Sequence, residues 1–262
     1  GISVKPEQIR EAVERAKQDP SKENQVKRLN LNIRTEQITR WMNVEHWNAC
    51  KSPLALAEFV HSLLGKKCLG GLDLADKFDL NSLALVFRPS VAPAAAETEE
   101  KTPGEPYRAI WRHWVPVDTL ADAKARPYVR YYKAWSQGCF CRTTGEAARR
   151  VTECPALLHL TPGNVTDYEF IRGDINALAS RYDIEEIAVD RHQALHLMTL
   201  LQQDGLTVFE HLQSCQAMHP GITEMERLLM GRQFQHGGDP AATWGFKNVV
   251  VYQNSYGQKR FD

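Results

Sequence analysis

The chain contains no run of about 18 consecutive apolar residues and no charged-then-apolar leader, so neither a membrane-spanning helix nor a signal peptide is expected. No Gly-x-x-x-x-Gly-Lys-Ser/Thr run occurs, which leaves the chain without a phosphate-binding loop for ATP. Neither sign of charge is in excess: 32 Lys and Arg balance 32 Asp and Glu. A global basic field is therefore absent, and any contact with nucleic acid must come from a local patch. Cysteine is sparse, with six scattered residues. Cys139-Phe140-Cys141 has the wrong spacing for a zinc knuckle and no matching pair follows, so the cysteines read as reduced thiols. Gly1 opens the chain without a Met, as expected of a fragment or a processed product.

Two acids stand out against this background. Cys68-Leu69-Gly70-Gly71-Leu72-Asp73-Leu74-Ala75 and Ser82-Leu83-Ala84-Leu85-Val86-Phe87 are apolar runs joined by a short polar turn, the pattern of a β-hairpin. Asp73 lies within the first run, where an acid is costly to bury unless it is paired or binds a metal. Taken alone, Asp73 serves equally well to close the hairpin. Ile184-Glu185-Glu186-Ile187-Ala188-Val189-Asp190 is a second apolar run ending in an acid. Two strands that each deliver one Asp would bring two carboxylates to one sheet edge. Hard cations such as Mg²⁺ are held by a few carboxylates with water and substrate phosphates.

The order of elements supports that juxtaposition. Residues 6–17 and Leu54 to Leu64 carry helical patterns, and Trp41, Met42 and Trp47 cluster between them. Residues 1–66 read as an arm or linker packing on a core of 67–262. Val91 to Pro106, rich in Ala, Glu and Pro, reads as a mobile insertion within 89–106. Tyr107 to Val117 returns as a third strand, and Tyr128 to Trp135 looks helical. Thr166-Asp167-Tyr168-Glu169 reads as a capping box ahead of a helix face made by Ile171, Ile175, Leu178 and Tyr182. The Asp190 strand follows, then a helix through Leu201, a strand over Leu206–Leu212, a helix over Ile222–Arg232 and a short strand at Asn248–Tyr252. Tyr256 to Arg260 reads as a polar tail. The fold class expected is α/β: a three-strand meander followed by alternating α and β, the ribonuclease H-like mixed sheet flanked by helices. A right-handed crossover through the capped helix would set the Asp190 strand beside the Asp73 strand.

Several motifs resemble the nuclease half of tailed-phage terminase large subunits. They are Gly71-Leu72-Asp73-Leu74-Ala75 with Asp79-Leu80, the run Thr161-Pro162-Gly163-Asn164-Val165-Thr166-Asp167-Tyr168, Ala188-Val189-Asp190-Arg191, and His236-Gly237-Gly238-Asp239-Pro240 before Asn248-Val249-Val250-Val251. Trp41 to Cys50 is similar to the stretch that joins such a nuclease to its upstream ATPase domain. The resemblance implies a Mg²⁺- or Mn²⁺-dependent endodeoxyribonuclease that uses two ions to cut concatemeric viral DNA. It implies double-stranded DNA, the portal protein and the small terminase subunit as partners, and the host cell cytoplasm as the place of action. Carried over by position, Asp73 and Asp190 are catalytic metal ligands. The family's third acid falls just beyond the segment matching Val249–Tyr252, and Asp262 is the nearest candidate. Asp79 is a further candidate ligand, and Arg191, Lys259 and Arg260 are candidate phosphate contacts. His192 and His196 share a helix face but have no third ligand in view. Two other readings stand beside this one: an actin-like ATPase, and a docking module anchored by exposed Trp41 and Trp47.

Overall fold

The structure, a computed structural model, describes residues 6–18, 26, 41–75, 79–89, 105–122, 126, 128–137 and 158–261. In chain order its elements are α1 (Pro6–Gln18), α2 (Val44–Ala49), α3 (Leu56–His61), β1 (Lys67–Asp73), β2 (Asn81–Phe87), β3 (Tyr107–Pro116), α4 (Val129–Gln137), β4 (His159–Thr161) and α5 (Tyr168–Ala179). There follow β5 (Asp183–Val189), α6 (Arg191–Gln203), β6 (Val208–Glu210), α7 (Cys215–Met230), β7 (Phe234–His236), α8 (Pro240–Asn248), β8 (Val251–Gln253) and β9 (Lys259–Phe261). The insertion expected at 89–106 falls almost wholly outside the described residues, as do Arg142, Arg149, Arg150 and the Cys139–Cys141 pair. Among the described residues no helix is long and apolar enough to cross a membrane.

By contact the chain forms two compact units, one of residues 1–49, 213–230 and 243–262, the other of 50–212 and 231–242. The larger unit is built on a mixed sheet ordered β4-β3-β2-β1-β5-β6, with β7 also paired to β3. β1, β2 and β3 form the expected antiparallel meander. β5 returns parallel to β1, and β6 parallel to β5. This is the ribonuclease H-like mixed sheet with flanking helices that the sequence pattern predicts.

Strict alternation sorts the side chains of β1 and β2 between two faces. Cys68 and Leu72 of β1 and Leu83, Leu85 and Phe87 of β2 point to one face and are buried. There they pack with Ile171, Ile175 and Leu178 of α5 and Leu197 and Leu201 of α6. Phe59 and Leu63 join the same core, at 1% and 0% exposure. Their burial draws residues 50–66 into the sheet unit, so the compact units do not follow a cut at residue 66. On this face Asp174 of α5 accepts a hydrogen bond from Trp114 Nε1 at 2.8 Å and lies 3.3 Å from Arg112 Nε.

The smaller unit is held by aromatic packing. Trp41 meets Phe246 and Phe261 with ring centroids 5.3 and 4.8 Å apart, and its indole N–H donates to Glu226 at 2.8 Å. Trp47 stacks on Phe246 at 4.7 Å. Both tryptophans are buried, which corrects the expectation of exposed anchors: an indole with a partner for its N–H is stable inside. The expected polar tail is β9, paired antiparallel with β8. Helix α7 starts seven residues before the expected Ile222, at Cys215, and carries Pro220 within it.

Candidate active site

The acids meet because two parallel strands end together. In β1 and β5 the register pairs Gly70 with Ile187 and Leu72 with Val189. One residue further on, Asp73 closes β1 and Asp190 follows β5, so the two acids emerge side by side. Gly70 allows the strands this approach, since a Cβ there would lie 2.9 Å from Ile187 Cγ1. The Asp73 side chain is open to solvent at the strand end, yet the surrounding protein still strips part of its hydration. That desolvation raises its pKa above the ordinary carboxylate value, and the negative charge of Asp190 raises it further; a backbone hydrogen bond from Leu74 opposes them.

A polar clamp fixes the chain directly after Asp73. The Ala75 N–H donates to Asn81 Oδ1 at 2.9 Å, and the Ala75 carbonyl accepts from Thr166 Oγ1 at 2.7 Å. Asn81 Nδ2 in turn donates to Thr166 Oγ1 at 3.3 Å. Asn81 and Thr166 are both buried, so these bonds are made away from competing water. The expected capping box is thereby corrected. The hydroxyl of Thr166 is committed to Ala75, and Asp167 is the residue that caps α5, accepting from Phe170 N at 3.0 Å. The helix starts one residue later than a Thr166 cap requires.

The other face of the sheet, which Asp73 shares and Asn81 does not, carries a second polar chain that the sequence did not disclose. Ser82 is the cross-strand partner of Asp73, and His113 is the partner of Ser82. Ser82 Oγ and His113 Nδ1 are 2.8 Å apart. His113 Nε2 lies 3.8 Å from Asp239 Oδ1, beyond a direct hydrogen bond. Asp239 is delivered by the turn after β7, where Gly238 takes the left-handed conformation at φ 79°. It heads α8, its Oδ1 accepting from the Ala241 and Ala242 N–H groups at 2.7 and 3.0 Å. Burial, and then the Arg112 cation, depress the His113 pKa to about 4. Burial lifts Asp239 to about 6 against those two N–H donors. His113 is therefore neutral near pH 7, and the 3.8 Å approach is not an ion pair there.

Asp79, Asp262, Arg191, Lys259 and Arg260 are the remaining expected residues. Asp79 lies in the bend ahead of β2; burial first, and the charge of Asp79 second, raise the pKa of Tyr132 on α4. Asp262 is outside the described residues, and Arg191 opens α6 with its side chain likewise outside them. Lys259 and Arg260 belong to the smaller unit. There Lys259 Nζ pairs with Glu226 at 2.8 and 2.9 Å, and Arg260 sits 5.3 Å over the Tyr252 ring.

No protein-family model matches the chain. Protein YmfN of Escherichia coli K12 is 27% identical over 251 residues, covering 95% of this chain and 49% of YmfN. The terminase large subunit of Enterobacteria phage HK97 is 24% identical over 256 residues, covering 95% of this chain and 42% of the phage protein. The crystal structure of the HK97 large terminase superposes over 100% of this chain and 47% of its own, with a TM-score of 0.62 at 24% identity. The chain thus spans about half the length of the relatives it matches, and over that span it is homologous to the large subunit of a phage terminase.

Proposed function

We propose that this chain is the nuclease part of a terminase large subunit, an endonuclease that cuts duplex viral DNA during packaging, with Asp73 and Asp190 as its catalytic acids. The observation that carries this reading is the pair of acids side by side at the ends of parallel strands, close enough for the charge of Asp190 to act on Asp73. Neighbouring strands lie about 4.8 Å apart, so one cation can touch a carboxylate from each. The donor set suits Mg²⁺ or Mn²⁺: hard oxygens, with negative charge crowded enough to raise a pKa. Among the described residues no three His, Cys, Asp or Glu side chains form a ready-made metal cluster. Two carboxylates with waters and substrate phosphate are the ligands that Mg²⁺ ordinarily takes.

Asp73 and Asp190 would hold such ions. Bound there, a divalent ion lowers the pKa of its water and neutralises charge on the phosphodiester. The rest of the site keeps those acids in place. Asn81 and Thr166 pin the backbone at Ala75, which limits the drift of Asp73 at the free end of its strand. The partners in this reading are double-stranded DNA, an upstream ATPase domain, the portal and the small terminase subunit, in the host cytoplasm.

Plasmid nicking with Mn²⁺ tests the assignment. The parent chain converts supercoiled plasmid to nicked and linear forms, and Asp73→Asn and Asp190→Asn each lose at least about a hundredfold in rate. Cleavage by either variant at the parental rate overturns it.

A further inference from the structure

The polar chain beside Asp73 raises a question of proton placement. A serine hydroxyl next to a carboxylate ordinarily donates to it, because a charged acceptor makes the stronger bond. Ser82 is the direct cross-strand partner of Asp73, with Cβ atoms expected about 4.5–5.5 Å apart. Yet its Oγ is engaged with His113 Nδ1 at 2.8 Å. Which atom donates depends on the tautomer of His113. The other ring nitrogen, Nε2, faces Asp239 Oδ1 at 3.8 Å. A carboxylate oxygen attracts an N–H and repels a bare lone pair, so the neutral ring carries its hydrogen on Nε2. Nδ1 is then an acceptor, and the hydrogen of Ser82 points to it, away from Asp73. The lone pairs of Ser82 Oγ then remain for a further partner on that face.

Hydroxyl lone pairs repel a bare carboxylate but suit a cation that carboxylates also hold. Resting on the metal-dependent reading above, we propose that Ser82 is a third oxygen of the cation site, aimed by His113 and Asp239. The sheet register puts Asp73, Ser82 and His113 on successive strands of one face, Asp190 follows the β5 residue paired with Leu72, and Asp239 stands behind His113. His113 and Asp239 are positioning residues in this arrangement; each acts through the next.

The test is Mn²⁺ binding, followed by the loss of the free-ion paramagnetic resonance signal, with no DNA present. The parent binds, and Asp73→Asn does not. Ser82→Ala weakens binding about tenfold, the lower end of what loss of a supporting group costs a metal site. Ser82→Thr, which keeps the hydroxyl, binds within about threefold of the parent, on the scale of that same tenfold loss. Parental affinity in Ser82→Ala, with binding still lost in Asp73→Asn, overturns this proposal and leaves the acid pair as the metal site. Equal loss in Ser82→Thr and Ser82→Ala also overturns it, since the hydroxyl is then not the cause. Absence of Mn²⁺ binding in the parent overturns the metal-dependent reading itself.

Discussion

Asp239 and His113 titrate in opposite senses, and one substitution separates them. The folded pKa of Asp239 is about 6 against an ordinary 3.8. Between those values the folded chain holds a proton that the unfolded chain has released. The stability tied to that proton is present below the unfolded pKa and is lost as pH rises through about 6. His113 runs the other way, at about 4 when folded against an ordinary 6.5. Its burial costs nothing above pH 6.5 and destabilises progressively as the pH falls toward 4. Each shift spans a little over two pH units, and at about 1.4 kcal/mol per unit each amounts to about 3 kcal/mol. In the parent chain the two slopes nearly cancel between pH 4 and 6. Asp239→Asn removes one of them while keeping an oxygen to accept from the Ala241 and Ala242 N–H groups, since Asn caps helices as well as Asp does. The stability of the variant relative to the parent should therefore rise by about 3 kcal/mol from pH 4 to 6.5. Urea unfolding at half-unit pH steps, with a chelator present, measures that difference. A pH-independent difference refutes the shift at Asp239. A difference of opposite sign shows instead a carboxylate held in its charged form by a protonated His113.

Three further outcomes follow from the same contacts. Without metal at pH 7, Asp73→Asn should be at least as stable as the parent, because the raised pKa of Asp73 means that its charged form is disfavoured in the fold above that pKa. Added Mn²⁺ should raise the melting temperature of the parent and leave that of the variant unmoved, as thermal melts will show. Thr166→Val keeps the side-chain shape but strands the Ala75 carbonyl and Asn81 Nδ2, at about 1–3 kcal/mol by urea unfolding. Its cleavage should lose kcat rather than gain KM, since the clamp holds Asp73 and not the substrate. Asp174→Ala leaves Arg112, whose side chain is 13% exposed, without its carboxylate, and should cost about 3 kcal/mol or more in the same assay.

What was legible in the sequence is what repeats locally. The two strands announced themselves because one apolar run contains an Asp and another ends in one, and parallel pairing of β1 with β5 sets those acids level. The face of α5 was legible because Ile171, Ile175 and Leu178 recur at helical spacing, and the fold buries all three. Strands of three residues, such as β4 and β7, carry too short a pattern to separate from loop. Thr166 was assigned to a cap because its neighbours fit a capping box. The competing use, a bond to Ala75 across 91 positions, leaves no trace in local sequence.

The Ser82–His113–Asp239 chain was hidden for the same reason: its members come from β2, β3 and the turn after β7, and only the sheet brings them together. His113 sits in a strand rich in aromatics, where a histidine reads as one more core ring. The Gly237-Gly238 turn was visible as a motif, but its purpose is spatial. It swings Asp239 to the head of α8, where two backbone N–H groups hold one carboxylate oxygen and fix it opposite His113. A side chain placed by two backbone donors is harder to move than one placed by packing alone. A site built from a carboxylate on a strand end therefore draws its rigidity from polar groups distant in sequence, and substitutions at Asn81, Thr166 and Asp239 should alter the geometry at Asp73 without touching it.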